Sequence, residues 1–254
     1  MPPLIDTHAH LDEIEDLDTA IASARAHGVV AIIAMGQELN SNQRVLELAR
    51  KYPGYVYASL GLHPWQMGNL RAEQIQENID FISAYLGQSI ALGEVGLDYD
   101  KRVLKGASKS IQQDILIALL KIAAAANKPV SLHSRYAWKD CLQIVTEMKI
   151  KNVVFHWYTG LSSTLSQLLE TGYFISATPA AEYHDEHRRV IREAPTSQLM
   201  LETDCPVVYG HENRYRSSPS DVLRSLKAAA ALKSIDEERL AEMTTANARH
   251  FFRI

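Results

Sequence analysis

Two histidines one residue apart, His8 and His10, close a short apolar run that begins Leu4-Ile5-Asp6-Thr7. In an extended strand, side chains two residues apart project to the same side, so these imidazoles can grip one cation together. Neutral imidazole suits zinc and other divalent transition metals, and two donors on one rigid strand need little ordering when the ion arrives. Such a pair fills only half of a site. Completing it requires carboxylates and histidines from elsewhere, and the chain offers His63, Glu94, His133, His156 and Asp204.

These side chains are far apart in sequence, so the elements between them decide whether they can meet. After the opening strand, the acidic patch Asp12, Glu13, Glu15, Asp16 and Asp18 leads into a helix expected over 19–27, where carboxylates near the N-terminus complement the dipole. Gly28 stops that helix, and Val29–Met35 is apolar at every position, the mark of a strand buried on both faces. Further strands are expected at 55–60, 90–93, 128–133, 152–156, 172–175 and 198–201. Helices at 42–52, 72–86, 108–127, 137–148, 161–171 and 185–193 separate them, and two more at 220–232 and 235–250 close the chain. Eight strands alternating with helices over 254 residues predict an α/β fold of the (β/α)8 TIM barrel type. The expectation is a single domain spanning 1–254, with an extra helix at its C-terminal end. A doubly wound sheet would carry a glycine-rich phosphate loop after an early strand, and none is present.

A barrel opens the C-terminal ends of all its strands onto one face, where active sites sit. His8 and His10 follow the first strand, His63 the third, Glu94 the fourth, His133 the fifth, His156 the sixth and Asp204 the eighth, so all are expected to converge. The segments that carry them include Asp6-Thr7-His8-Ala9-His10-Leu11, Gly61-Leu62-His63-Pro64 and Gly93-Glu94-Val95-Gly96-Leu97-Asp98-Tyr99. They continue with Pro129-Val130-Ser131-Leu132-His133-Ser134-Arg135, Glu202-Thr203-Asp204-Cys205-Pro206 and the closing Thr244-Thr245-Ala246-Asn247-Ala248. In this order and spacing they resemble the TatD family of metal-dependent deoxyribonucleases along essentially the full length. The resemblance implies that His8, His10 and Asp204 hold one divalent metal ion, that His133 and His156 hold a second, and that Glu94 bridges the two. Imidazole and carboxylate ligands suit zinc and manganese while magnesium prefers oxygen, so the two cofactor ions are expected to be zinc, manganese or magnesium.

The chemistry of the residues agrees with that assignment. Two divalent cations about 3.5–4 Å apart can activate a shared water and clamp the attacking and leaving oxygens of a displacement at phosphorus. Glu94 offers two oxygens, and its charge offsets the cost of placing two cations together. Asp204 would both bind a metal and accept the proton of the attacking water as general base. His63 is expected to contact substrate phosphate or donate a proton, not to ligate, and the resemblance implies the same. Asp98 and Arg135 are candidates for orienting ligating histidines or the phosphate. Lys101, Arg102 and Lys105 are candidates for a flexible cationic loop that guides a phosphodiester. The rim segment His211-Glu212-Asn213-Arg214-Tyr215-Arg216 interleaves cations with an aromatic, as single-strand binders do, which makes Arg214 and Arg216 candidate substrate contacts. By contrast, His184-Asp185-Glu186-His187 reads as a polar helix cap.

Two segments depart from the family's pattern. A cysteine, an aromatic, a serine and a glycine commonly follow the histidine of strand six, whereas this chain reads Trp157-Tyr158-Thr159-Gly160. After strand eight the familiar Arg-Asn-x-Pro segment is blurred into Asn213-Arg214-Tyr215-Arg216-Ser217-Ser218-Pro219. Hydrolysis stands, while the substrate is less constrained. The leading expectation is hydrolysis of DNA phosphodiester bonds, trimming from a 3′ end. The alternatives are an ester or amide hydrolase, such as a deacylase of aminoacyl-tRNA, and a catalytically idle barrel that binds a metal or a partner.

A net charge of −4 excludes a protein that coats nucleic acid through bulk electrostatics, so a polyanionic substrate must be held by a local site. Cys141 and Cys205 provide neither a disulfide framework nor a thiolate zinc site. No apolar run approaches the roughly 18 residues of a membrane span, and the N-terminus lacks the regions of a signal peptide. The expectation is a cytoplasmic protein without a membrane partner, and nothing in the sequence requires more than a monomer.

Overall fold

In the computed structural model, which describes residues 2–254, the apolar runs become eight parallel strands in one sheet whose spatial order follows the chain. They are β1 (Leu4–Ala9), β2 (Val29–Met35), β3 (Val56–Leu60), β4 (Ala91–Gly96), β5 (Val130–His133), β6 (Val153–Phe155), β7 (Phe174–Ala177) and β8 (Leu199–Leu201). The helices between them are α1 (Leu17–Ala26), α2 (Leu39–Lys51), α3 (Pro64–Met67), α4 (Ala72–Tyr85), α5 (Lys101–Leu104), α6 (Lys109–Ala125), α7 (Trp138–Glu147), α8 (Ser162–Glu170) and α9 (Asp185–Glu193). A short antiparallel ribbon, β9 (Val208–Tyr209) with β10 (Tyr215–Arg216), follows the last barrel strand, and α10 (Val222–Lys233) and α11 (Glu237–Phe252) end the chain. This is the expected (β/α)8 barrel. Among the described residues no helix is long and apolar enough to cross a membrane.

Two apolar layers hold it together. The outer one lies between strands and helices and contains Leu4, Ile32, Leu60, Leu92 and Leu132 from the sheet with Leu48, Leu116 and Leu168 from helices. The inner one fills the barrel with Ile5, Ile33, Met35, Val154 and Met200, and is plugged by Phe251 and Phe252 of α11. Each such side chain, fully buried, contributes about 1.5–3 kcal/mol. The plug leaves the opposite mouth, at the strands' C-terminal ends, for polar chemistry.

Strict alternation along β1 would put His8 on the face opposite Ile5, away from the barrel interior. The register prevents this, because Asp6 to Ala9 on β1 faces only Ile32 to Ala34 on β2. One extra residue reverses the parity, so Ile5 and His8 both serve the interior side. The same device recurs in β4, where Leu92 to Val95 faces Val130 to Leu132 and Glu94 lies at the bulge. Gly93 has φ +138°, a region that L side chains rarely adopt, and a Cβ there would meet the Ser131 carbonyl. Gly61 is required for space, since a Cβ on it would press into the Glu94 backbone.

The seam between β8 and β1 is closed by side chains and by the segment after β8. Thr7 Oγ1 donates to the Leu201 carbonyl at 2.9 Å, and the fully buried Asp6 accepts from Thr203 N at 3.0 Å and Thr203 Oγ1 at 2.6 Å. Asp204 N then donates to the His8 carbonyl at 2.9 Å, and His10 N to the Cys205 carbonyl at 2.8 Å. The far end of the chain is thereby laid against its beginning.

Several local expectations are corrected. The segment with Lys101 and Arg102 is not a loop but the single turn α5, started by Asp100, whose carboxylate accepts from Arg102 N at 2.9 Å. The stretch around Arg214 is the turn of the β9–β10 ribbon, and α3 was not anticipated at all. Asp16 does cap α1, accepting from Thr19 N at 3.2 Å, and His184 caps α9. His187 is no part of a polar cap. Its ring is buried, donates to the Tyr158 carbonyl through Nδ1 at 3.1 Å and accepts from Thr178 N at Nε2 at 3.1 Å, tying the segments after β6 and β7 together.

Burial, first of all, pushes His187 down to about 4. The unfolded chain takes up a proton near pH 6.5 that the folded one refuses, so this residue's contribution to stability is complete above 6.5 and is lost as pH falls towards 4. The ceiling of that loss is about 3 kcal/mol. Urea unfolding of the wild type and His187→Gln at pH 7 and pH 4.5 should show their stability difference shrinking towards the acid side. An unchanged difference would refute the assignment.

Candidate metal centre

The polar side chains expected at the strand ends meet around one carboxylate. Glu94 Oε2 lies 3.4 Å from His8 Nε2 and 3.4 Å from His10 Nε2. Asp204 Oδ1 faces the same two nitrogens at 3.5 and 3.2 Å. The other Glu94 oxygen, Oε1, lies 2.8 Å from His133 Nδ1, 2.8 Å from His156 Nε2 and 3.1 Å from His63 Nε2. Donors bound tetrahedrally at about 2.1 Å from an ion stand about 3.4 Å apart, so the His8–His10–Asp204–Glu94 group already has the spacing of a coordination shell. His8 Nε2 is buried without a hydrogen-bond partner, aimed between two carboxylate oxygens, as a nitrogen waiting for a cation would be. The donor set fits divalent metal ions.

The outer nitrogen of each ring tells which way its lone pair points. His133 Nε2 donates to Asp98 Oδ2 at 3.0 Å, which leaves Nδ1 free as a donor to a metal. His8 Nδ1 lies 3.3 Å from Ser131 Oγ and 4.0 Å from Glu202 Oε2, and His156 Nδ1 lies 3.5 Å from Glu202 Oε1. The rings of His8 and His156 are stacked at 4.0 Å, both backed by the buried Glu202. Gln37 holds His10 from outside, its side-chain amide 2.9 Å from Nδ1. His63 Nδ1 also faces a donor, and here the donor is a backbone amide that cannot turn its oxygen round. It accepts from Trp65 N at 3.1 Å, so in the neutral ring Nε2 carries the hydrogen and faces the centre as a donor.

Charges follow the geometry. Burial works to raise the pKa of Glu94, but His63, His156 and His8 by charge and His133 by its hydrogen bond reverse this and hold it well below the usual range. Burial likewise opposes ionisation of Asp204, and the hydrogen bond from His10 with the neighbouring imidazoles outweighs it. His10 is raised to about 9: burial disfavours its charge, yet Asp204 and then Glu94 favour it more. The carboxylates are thus ionised, and the pocket attracts positive charge.

The remaining candidates lie outside this core. Asp98 is buried behind His133, and Trp65 Nε1 donates to the same Oδ2 at 2.6 Å. Arg135 and Arg102 stand on the rim, bound to Asp100 at 3.3 and 2.9 Å. Lys101 and Arg214 are exposed, and Arg216 reaches the Glu13 carbonyl at 3.5 Å. Sequence reasoning gave no role to Glu202, Ser131, Gln37 or Trp65. Alternation could have flagged two of them, since Glu202 precedes Asp204 by two residues and Ser131 precedes His133 by two.

A (β/α)8 barrel with a buried histidine–carboxylate cluster at this mouth is the framework of a metal-dependent hydrolase. The family model described as TatD related DNase matches residues 5–253, and the chain belongs to that family. The human deoxyribonuclease TATDN3 is 30% identical over 259 residues, covering 98% of this chain and 94% of the relative. A metal-dependent hydrolase of Bacillus subtilis, YabD, is 31% identical over 261 residues, 99% of each. Among solved structures, the TatD homologue YJJV of Escherichia coli superposes with a TM-score of 0.88 at 26% identity, covering 99% of this chain and 98% of that one. A TatD family hydrolase from Entamoeba histolytica, at 22% identity and a TM-score of 0.86 over 98% of both chains, shares the fold.

Glu202 backs two of the inward-facing imidazoles and also accepts from Trp157 N at 3.0 Å. Glu202→Gln keeps the shape and removes the charge. Metal affinity measured against a competing chelator should fall roughly 10- to 100-fold. Wild-type affinity in the variant would show that Glu202 only packs.

Proposed function

We propose that this chain is a two-metal phosphodiesterase that hydrolyses DNA, releasing nucleotides from an exposed 3′ end. The observation that carries the proposal is the division of Glu94. One of its oxygens faces His8 and His10 with Asp204, and the other faces His133 and His156. In this reading the first three residues hold one ion, the last two hold a second, and Glu94 bridges. Relatives named as deoxyribonucleases, of which human TATDN3 is one, support DNA as the substrate.

When bound, two such ions supply an acidified water and a clamp on the oxygens of the reacting phosphate. The protein's residues do the rest. Asp204 turns Oδ1 towards His10 and His8, which leaves Oδ2 to take the proton of the attacking water. Being ionised, it is ready to accept that proton. His63, with its hydrogen on Nε2, donates to Glu94 in the free protein and is placed to donate to a phosphate oxygen or to the departing alkoxide. Asp98 fixes the tautomer of His133, and Arg102 and Arg135 supply positive charge at the rim. The chain needs no second subunit to assemble this set.

Metal-stripped protein incubated with labelled single-stranded and duplex DNA should regain cleavage on addition of magnesium, manganese or zinc, and lose it again on chelation. Absence of cleavage with every metal would remove DNA as substrate, and hydrolysis of aminoacyl esters in the same panel would replace it. Asp204→Asn should reduce kcat by about 10²–10⁴-fold, the usual contribution of a positioned base. Glu94→Gln should lower both metal content and turnover. Full activity in either variant would overturn the mechanism.

A further inference from the structure

On the β3–β5 side of the mouth, two large aromatic rings stand in solvent where burial would be favourable. Trp65 is 41% exposed and Tyr136 is 57% exposed. Trp65 lies two residues past His63, and Tyr136 three past His133. Their exposure is not looseness. Trp65 Nε1 is anchored on Asp98 Oδ2, the oxygen that also holds His133, and Asp98 is itself clamped by Gln112, which accepts from its N at 2.8 Å and donates to its carbonyl at 3.0 Å. Tyr136 has φ +56°, a left-handed conformation that costs a non-glycine residue about 1–2 kcal/mol and that turns the ring outward.

Two guanidinium groups complete the arrangement. Arg102 lies 5.1 Å from the Trp65 ring centre, and Arg135 lies 5.9 Å from Trp65 and 5.4 Å from Tyr136. Both are held by the carboxylate of Asp100, which offsets one of their two positive charges, and they flank two partly exposed rings. A cluster that served stability alone would bury those rings, since the gain from an aromatic residue lies in its covered area. Planar aromatics with adjoining cations, rigidly coupled to a hydrolytic centre, match a nucleobase and its neighbouring phosphate.

We propose that Trp65 and Tyr136, with Arg102 and Arg135, form a stacking subsite for the unpaired base next to the phosphate under attack. This rests on the phosphodiesterase assignment above and specifies its substrate as single strands or frayed ends. Because every base has a π-face, the subsite reads no sequence. A fully paired end cannot offer its base and is disfavoured.

The test uses two short single-stranded DNAs, one intact and one with a tetrahydrofuran abasic residue beside the terminal linkage. Binding is measured by fluorescence anisotropy to Asp204→Asn protein whose manganese content has been matched to that of the wild type by elemental analysis, and cleavage with the manganese-loaded wild type. The intact strand should bind about 5- to 150-fold more tightly, the range for one stacked base. Trp65→Leu and Tyr136→Ala, each in the Asp204→Asn background, should each shrink that ratio, while Trp65→Phe, which keeps a ring, should preserve most of it. In otherwise wild-type protein, Tyr136→Ala should act on KM more than on kcat. Tyr136 contacts none of the inward-facing histidines or carboxylates, so its variant remains informative should the Trp65 changes disturb folding. Equal binding of both strands, or a ratio untouched by Trp65→Leu and Tyr136→Ala, overturns the subsite. Base-dependent binding without cleavage by the wild type would instead overturn the phosphodiesterase assignment and leave the subsite standing. Absence of binding to either strand removes both.

Discussion

Glu94 is 3% exposed and has five imidazole nitrogens within 3.4 Å. A buried carboxylate costs several kcal/mol unless it is paired, and neutral imidazoles are imperfect partners. His133 illustrates the difficulty: its Nε2 hydrogen is committed to Asp98, so Nδ1 presents a lone pair to Glu94 Oε1 at 2.8 Å. Two acceptors in contact require a proton or a metal ion between them. Without an ion, protons fill the gap, and His133 and His156 are accordingly raised above their usual values by Glu94 and their outer carboxylates, against the opposing effect of burial. The centre is thus built with too many lone pairs and too little positive charge. Divalent cations are what such an excess selects.

That concentration of donors is tolerable because the scaffold is over-determined around it. The bulges in β1 and β4 each break the side-chain alternation once, so that His8 and Glu94 enter an interior whose lower half is filled by Ile5, Ile33 and Met35. Closing the barrel through Asp6, Thr203 and the backbone of His8 and Asp204 fixes the distance between the first and last donors. Asp204 itself has φ +48°, a left-handed conformation that aspartate accepts more readily than most residues. Strain is carried where the Asp204 carboxylate must turn inward.

Much of this was legible in the sequence, and the exceptions share a cause. Eight apolar runs gave the barrel, and their ends gave the cluster, because both follow from local periodicity. The His8–His10 pair was robust as well, since two positions spaced by two stay together whatever the bulge before them does. Invisible were features set by partners distant in sequence: the backing of His8 and His156 by Glu202, the burial of His187 and the one-turn helices α3 and α5. His63 shows the limit most clearly. Its expected part as a donor came from its place and from the resemblance, whereas the Trp65 backbone amide that the α3 turn directs at Nδ1 could not be read from the sequence.

On the proposed assignment a chain with net charge −4 has to receive a polyanion, and the arrangement of charge at the mouth suits that task. Screening at physiological ionic strength limits charge effects to about 8 Å, so what a phosphate feels is the rim and the centre, not the total. Lys101, Arg102, Lys105 and Arg135 lie on the β4–β5 side, and Arg214 and Arg216 on the β9–β10 side. Asp100 cancels part of the first group, which favours positioning over strong capture. Divalent metal held by His8, His10, Glu94, His133, His156 and Asp204 would be the largest positive charge within reach. Under that assignment substrate affinity and metal affinity would be linked: an anion bound at the loaded centre would raise the centre's affinity for metal, and by reciprocity metal would raise its affinity for the anion by the same factor. Anion binding would therefore be a property of the loaded centre, and the surrounding protein would decide mainly which anion fits.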